Sequence, residues 1–181
     1  MKTAIQPGTL NALILLALAT ALGWCPPARP SERPEAVWWG VVTYVVDGDT
    51  VHVRPDDGGK PVSIRLGGID APEICQSGGV MSRDALGQRV LGRRVAIQGR
   101  YQDDYGRLLA RIVLNDEDIG QWMVAQGLAW SYHYRRSTGP YALQEGRAQA
   151  ERRGIFSPIH SVPAVYPRVF RKQHGSCYLQ P

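Results

Sequence analysis

The sequence is poor in the residues that build metal-bound or cross-linked small domains. Only three of its 181 residues are cysteine and four are histidine, and no CxxC motif or Cys/His cluster occurs, which argues against a structural zinc site. No internal repeat is apparent. The longest apolar run, residues 10–24, is shorter than the roughly 20 residues that a helix needs to span a bilayer. With 44% apolar and 20% charged residues, the composition is that of one globular domain with additions at its ends.

The apolar run near the N-terminus has the length of the hydrophobic part of a signal peptide. Lys2 precedes it, and the segment 26–36, with four prolines, follows it. This order predicts a signal peptide over residues 1–24, or alternatively an uncleaved anchor, and a solvated linker over 25–36. We therefore expect an exported protein, periplasmic or secreted, with a membrane tether through residues 10–24 as the alternative.

Export would place the cysteines of the mature protein in an oxidising compartment. If cleavage falls before or near Cys25, Cys75 and Cys177 remain. They could form a bridge that ties the C-terminal tail to the domain, or they could be two unrelated thiols. The residues alone leave both possibilities open.

The positive charge is concentrated at the C-terminus. Residues 37–158 hold 15 Lys and Arg against 14 Asp and Glu, whereas the tail 159–181 holds three cations and no acid. A net charge of +5 is compatible with a polyanionic partner but is weak support for one. The tail could lie on nucleic acid or could be only solvated.

From residue 37 onward, short runs rich in Val, Ile and aromatic residues predict β-strands separated by turns. Five short strands favour a small closed or nearly closed barrel. The predicted strands are residues 37–46, 50–54, 61–69, 94–100 and 107–115.

Apolar residues at helical spacing predict three helices, at residues 79–92, 118–129 and 141–154. The fold class is therefore α+β, with a domain over residues 37–158 and a basic tail over 159–181.

Two acids stand in the stretch VVDGDTVHVR, residues 45–54, where one turn residue would suffice. Asp47 with Gly48 makes a good hairpin turn on its own, which leaves Asp49 to be explained. In the third predicted strand, Arg65 alternates with apolar neighbours and so faces the other side of the sheet.

That third strand ends in GGIDAPE, residues 67–73, where Pro72 removes a hydrogen-bond donor. Asp70 and Glu73 follow the strand, and Asp70 could meet Asp49 if the second and third strands form a hairpin. Two carboxylates, with the carbonyl of Ala71, are oxygen ligands that suit Ca²⁺. Each signal alone is also compatible with a plain turn or a surface ion pair.

The combination is more specific. The motifs DGDTVHV (47–53), RLGGIDAPE (65–73) after an eleven-residue gap, and DDYGRLLARIV (103–113) occur in this order. Together they resemble the thermonuclease family, the staphylococcal-nuclease-like (SNase) domains. The likeness extends through RRGIFSP (152–158) and covers about residues 37–158. It implies an OB-fold five-stranded β-barrel with three α-helices.

The resemblance also implies roles for individual residues. Asp49, Asp70 and the Ala71 carbonyl would be ligands of Ca²⁺, and Glu73 would be the general base or the acid that positions water. Asp47 would shape the turn.

Three further residues match the family's substrate contacts. Arg65 and Arg107 would grip the scissile phosphate, and Tyr105 would contact the nucleotide's terminal phosphate. Asp104 stands where the family usually has Lys or Arg, so repulsion replaces attraction near that phosphate.

The implied activity is that of a Ca²⁺-dependent endonuclease acting on DNA and RNA and leaving 3′-phosphate products. We expect a monomer that prefers single-stranded nucleic acid, with Tyr132 and Tyr134 as stacking surfaces for bases. The alternative is a non-catalytic OB-fold module that binds nucleic acid. The presence of all five residues Asp49, Arg65, Asp70, Glu73 and Arg107 favours the enzyme.

Overall fold

The computed structural model describes residues 36–159, 163–175 and 177. The predicted signal peptide and nearly all of the predicted linker lie outside these residues. The described strands are β1 (Ala36–Val45), β2 (Thr50–Pro55), β3 (Val62–Leu66), β4 (Ile69–Asp70), β5 (Arg94–Gln102), β6 (Leu108–Leu114), β7 (Glu117–Asp118) and β8 (Trp130–Ser131). The described α-helices are α1 (Gly79–Val90), α2 (Ile119–Ala125), α3 (Ala142–Ala150) and α4 (Pro167–His174).

Five of the strands close into a barrel. The sheet runs β3-β2-β1-β5-β6, with neighbours antiparallel, and β3 then pairs with β6 in parallel, from Ile64 beside Leu108 to Leu66 beside Ala110. This closure removes the free edges that an open sheet would present. The predicted α+β fold, a five-stranded OB barrel with helices, is confirmed.

Side-chain alternation along the strands fills the barrel. In β2, Val51 and Val53 are fully buried while Arg54 is exposed, and in β3 Ile64 and Leu66 are buried on either side of Arg65. The apolar side chains point into a core to which α1 and α2 also contribute. Their buried side chains are Leu86, Val90, Ile119, Met123 and Val124. The polar face of β3 is thereby left for Arg65.

The third predicted strand, 61–69, is interrupted. β3 ends at Leu66 because Gly68 adopts a φ of 80°, a left-handed conformation that does not continue a strand. The chain turns there and forms the two-residue strand β4, in which Asp70 pairs with Trp130 of β8. This turn carries Asp70 back across the end of the barrel.

The three predicted helices are present as α1, α2 and α3, with shorter bounds. The Asp118 side chain caps α2 by accepting a 3.1 Å hydrogen bond from the Gln121 N–H. The prediction that α3 extends to residue 154 is wrong: it ends at Ala150, since Arg152 adopts a φ of 54° and a 3₁₀ turn follows at Gly154–Phe156.

The basic tail contributes a fourth helix, which the sequence reading did not predict. α4 begins at Pro167, a residue suited to the first helical turn. Cys75 and Cys177 form a disulfide, with their Cα atoms 5.7 Å apart, so the question that the sequence left open is answered by a covalent bridge from tail to domain. No helix among the described residues is long and apolar enough to cross a membrane.

Candidate active site

Arg65 joins two buried acids at one end of the barrel. Its backbone pairs with Thr50 of β2, so the Arg65 guanidinium lies beside Asp49, the residue before Thr50. Nη1 contacts Asp49 Oδ2, and Nη2 donates a 3.0 Å hydrogen bond to Asp70 Oδ1. Asp49 and Asp70 are each only 6% exposed. The guanidinium thus acts as the internal counter-ion of both carboxylates.

Asp49 is held from three sides. Its Oδ2 accepts a 3.0 Å hydrogen bond from the Ala71 N–H, and its Oδ1 accepts one of 3.0 Å from the Thr50 hydroxyl. Burial alone would raise the pKa of Asp49, but the Arg65 charge and these donors hold it below its usual value. The Asp49 carboxylate is therefore kept ionised.

The turn before Asp49 is built by Asp47 and Gly48. Asp47 Oδ1 accepts a 3.0 Å hydrogen bond from the Asp49 N–H, the pattern of an Asx turn. A Cβ at Gly48 would lie 2.7 Å from the Ala71 Cβ and 2.8 Å from the Ser82 Cβ, so only glycine fits. Asp47 shapes the turn, as predicted, and it also lines the pocket described below.

Three acids, Asp47, Asp49 and Asp70, are crowded around Arg65. Burial, together with the nearby Asp49 charge, raises the pKa of Asp47 to about 7. Burial also raises the pKa of Asp70 to about 6, although Arg65 opposes this. The raised pKa values of Asp47 and Asp70 mean that this crowding disfavours their ionised forms, which a bound cation would stabilise.

Arg107 is positioned by its own turn. Asp103 Oδ2 accepts from Arg107 Nε at 2.8 Å, and Asp103 Oδ1 accepts 3.0 Å hydrogen bonds from the backbone N–H groups of Tyr105 and Arg107. Arg107 Nη1 reaches the Thr50 hydroxyl at 3.3 Å. Thr50 therefore links Arg107 to Asp49.

Tyr105 lies at the mouth of the site. Its side chain is 85% exposed, and its ring centroid is 5.2 Å from the Arg107 guanidinium carbon, within the range of a cation–π contact. A ring so exposed is accessible to a nucleotide.

Glu73 follows β4 on a short loop that packs tightly against α1. A Cβ at Gly79 would lie 1.9 Å from the Glu73 carbonyl oxygen, and the Glu73 N–H donates to Gln76 Oε1 at 3.2 Å. The Glu73 carboxylate forms an ion pair with Arg171 of α4.

A cavity of about 410 Å³ brings these groups together. Three of the residues predicted to form the site do not line this cavity: Asp70, which is hydrogen-bonded to Arg65, Tyr132 and Tyr134. The lining residues are Asp47, Asp49, Arg65, Ala71, Pro72, Glu73, Tyr105, Arg107 and Arg171.

Within the part of the chain that the structure describes, no group of three or more His, Cys, Asp or Glu side chains is arranged to hold a metal ion. The predicted ligand set has only two carboxylates, Asp49 and Asp70, and relies on the Ala71 carbonyl and on water for its remaining oxygens.

Two residues of the site were missed by sequence reasoning. Asp103, which orients Arg107, lies in the recognised motif and could have been found from its spacing of four residues to Arg107. Arg171 carries no such signal, because its approach to Glu73 depends on the fold of a tail 98 residues away.

The chain is similar to several known proteins. A family model described as staphylococcal nuclease homologue matches residues 63–158. The chain is 37% identical over 148 residues to Protein ParB of Escherichia coli, covering 76% of this chain and 81% of that protein. It is 36% identical over 125 residues to an uncharacterized endonuclease of Escherichia coli O157:H7, covering 68% and 80%. It is 30% identical over 159 residues to a micrococcal nuclease of Shigella flexneri, covering 82% and 87%.

Proposed function

Because the chain belongs to the staphylococcal nuclease homologue family, we propose that it is an exported, Ca²⁺-dependent endonuclease that hydrolyses phosphodiester bonds of DNA and RNA. Its family and its relatives support the function of a nuclease, a hydrolase that acts on nucleic acid. The proposal extends this to the metal, the compartment and the products, which would carry 3′-phosphates. Single-stranded DNA and RNA are the proposed preferred substrates of a monomeric enzyme.

The observation that carries the proposal is the convergence of opposite charges on one cavity. Arg65 and Arg107 line it together with Asp49 and Glu73. Hydrolysis of a phosphodiester concentrates negative charge on the phosphoryl oxygens as water attacks, and guanidinium groups fixed in advance stabilise that charge. The planar fork of arginine also engages two phosphate oxygens at once.

Glu73 is the candidate for handling the attacking water. A carboxylate can accept a proton from water or orient it, provided that it lies within hydrogen-bond reach. Glu73 lines the cavity and its side chain is 16% exposed, so solvent reaches it. The leaving oxygen then takes a proton from solvent or from a neighbouring donor.

The acids around Arg65 fit a hard cation. Asp49 and Asp70 present carboxylate oxygens beside the Arg65 guanidinium, and oxygen donors are what Ca²⁺ prefers. Asp49, Asp70 and the Ala71 carbonyl would hold the ion. When bound, Ca²⁺ supplies electrostatic stabilisation of the phosphoryl oxygens and makes water more acidic.

Aromatic side chains supply the proposed nucleotide contacts. Tyr105 stands next to Arg107 at the cavity mouth, where it would contact a terminal phosphate. Tyr132 and Tyr134 are 46% and 61% exposed on the segment after β8, and they would stack on bases without regard to sequence.

Export is proposed from two observations. The N-terminal segment 1–24 has the pattern of a signal peptide, and the Cys75–Cys177 disulfide is of the kind that persists in oxidising compartments. An anchor through residues 10–24 is the alternative fate of the same segment.

The test is a cleavage assay on the full chain. A 5′-labelled single-stranded DNA and its RNA counterpart are incubated with Ca²⁺, with Mg²⁺ and with chelator, and the product ends are read by mass spectrometry. We expect cutting with Ca²⁺, none in chelator, and 3′-phosphate ends. Undiminished cutting in chelator would refute metal dependence. Binding without cutting under every condition would favour the non-catalytic OB-fold module.

A further inference from the structure

The tail lies against the domain through contacts at the start of α4. Tyr166 donates a 3.2 Å hydrogen bond to Glu145 Oε1, and its ring centroid is 5.2 Å from that of Trp130. The Val165 carbonyl accepts a 2.5 Å hydrogen bond from Gln76 Nε2. Since Glu145 and Trp130 are buried, this end of the tail is seated on the core of the domain.

The far end of the tail is fixed covalently. Cys177, six residues after Arg171, is bonded to Cys75, two residues after Glu73. The Cys75 N–H also contacts Cys177 Sγ at 3.2 Å. The disulfide therefore joins the tail to the very loop that carries Glu73.

Between these two attachments, α4 presents one cation to the site. Arg171 Nη1 donates to Glu73 Oε1 and lies 3.9 Å from Asp70 Oδ1. Arg168 and Lys172 on the same helix are exposed, and neither forms an ion pair with a described acid. The contact with Glu73 is thus specific to one position of the helix and is not a general effect of its charge.

We propose that Arg171 is a positioning residue for Glu73: it binds one oxygen of the carboxylate and so holds the other towards the cavity for the attacking water. This inference rests on the proposed function and adds a residue outside the segment 63–158 that matches the family.

The physical reason lies in the freedom of a glutamate side chain. A glutamate side chain that is free to rotate loses rotamer entropy when it is fixed, and a water held by a carboxylate without a fixed position is misplaced for attack. Arg171 engages Oε1 only, and among the described residues Oε2 has no hydrogen-bond partner. One oxygen is anchored and the other is left to accept from water.

The experiment measures kcat and KM on a single-stranded DNA oligonucleotide with Ca²⁺, using the full chain. Arg171→Gln, which keeps most of the side-chain volume, is expected to lower kcat about tenfold while KM changes less than about twofold. Arg171→Lys is expected to restore part of the loss. Lys172→Gln, which removes the same charge from the same helix, is the matched control and is expected to change neither constant by more than about twofold.

A double-mutant cycle with Glu73 separates positioning from a general structural effect. In a Glu73→Gln background, Arg171→Gln is expected to cause no further loss of kcat, because the residue on which it acts is gone. Equal losses in both backgrounds, or a loss matched by Lys172→Gln, would overturn the inference. A faster Arg171→Gln enzyme would overturn it as well, by making the tail a block on the site.

The result also distinguishes this inference from the proposed function. A wild-type protein that cuts, with Arg171→Gln cutting equally well, refutes the positioning role and leaves the nuclease intact. A wild-type protein that fails to cut with every divalent cation tested refutes the proposed function and the positioning role with it.

Discussion

Arg107 and Arg171 reach the same cavity from two regions of the molecule that are built differently. Arg107 belongs to the barrel: Asp103, four residues away, fixes it through its backbone and its side chain. Arg171 belongs to the tail, and its place depends on a disulfide and on side-chain contacts to residues distant in sequence.

The difference shows that one site can combine a residue positioned by local contacts with a residue positioned by long-range contacts. The barrel positions its charges by strand register and short turns, which few changes elsewhere can disturb. The tail positions its charge through long-range attachments, so each attachment can be removed while the barrel stays folded. Four changes, ordered from the largest expected effect to the smallest, test this contrast.

Removing the barrel arginine should have the largest effect. We expect Arg107→Ala to lower kcat by about 10²–10³-fold, the range found when one preorganised donor to a transition state is lost. Circular dichroism should show an unchanged fold. Arg54→Ala, which removes an exposed cation from β2, is the matched control and should retain full activity. If the Arg107→Ala enzyme kept more than a tenth of wild-type activity, that result would contradict the proposed contact of Arg107 with the scissile phosphate.

Removing the disulfide should destabilise the protein without unfolding the barrel. The paired change Cys75→Ser and Cys177→Ser opens a loop with a sequence separation of 102, and we expect a loss of about 2–4 kcal/mol in the free energy of unfolding. Urea denaturation of the oxidised wild type and of the double variant measures it. Identical midpoints would mean that the tail adds nothing to stability.

Loosening the other end of the tail should cost less. Tyr166→Phe removes the hydroxyl that donates to Glu145, a buried carboxylate that keeps hydrogen bonds from the Ser131 N–H and from Gln149. We expect a loss of about 1 kcal/mol in unfolding free energy, read from thermal denaturation. Tyr134→Phe removes an exposed hydroxyl and should leave stability unchanged. An equal loss of stability in that variant would mean that the Tyr166–Glu145 hydrogen bond makes no specific contribution.

The smallest effect is expected from the exposed acid beside Tyr105. Asp104→Lys replaces repulsion of the substrate's phosphates with attraction, so we expect KM to fall about two- to threefold at low salt, with the gain fading as salt is added. Asp57→Lys makes the same charge change on an exposed turn whose residues do not line the cavity. An equal gain in that variant would show only a general effect of net charge.

Much of the barrel could be predicted because its signals are local. The turn residues Asp47 and Gly48 predict the hairpin of β1 and β2. The alternation around Arg65 predicts which face of β3 it occupies, and the register of β2 with β3 then places Asp49 beside Arg65. The interruption after Leu66 was missed because the conformation of Gly68 is set by the pairing of β4 with β8, which a strand pattern does not encode.

The tail could not be predicted in the same way. The segment from Pro167 to His174 is short and polar, and it is helical because both of its ends are attached to the domain. Two cysteines indicated that a bridge was possible, but only the fold brings their Cα atoms to a separation that a disulfide can span. The role of Arg171 follows from that long-range geometry, which explains why charge alone left the tail unassigned.

The disulfide has a further consequence for how long the enzyme would survive among proteases. Every bond between Cys75 and Cys177 lies inside one covalent ring, which includes the exposed segment after β8. A single cut in that segment would give two fragments that stay attached to each other. Arg107, which precedes that segment, and Arg171, which follows it, would then remain in one molecule although the backbone between them had been cut.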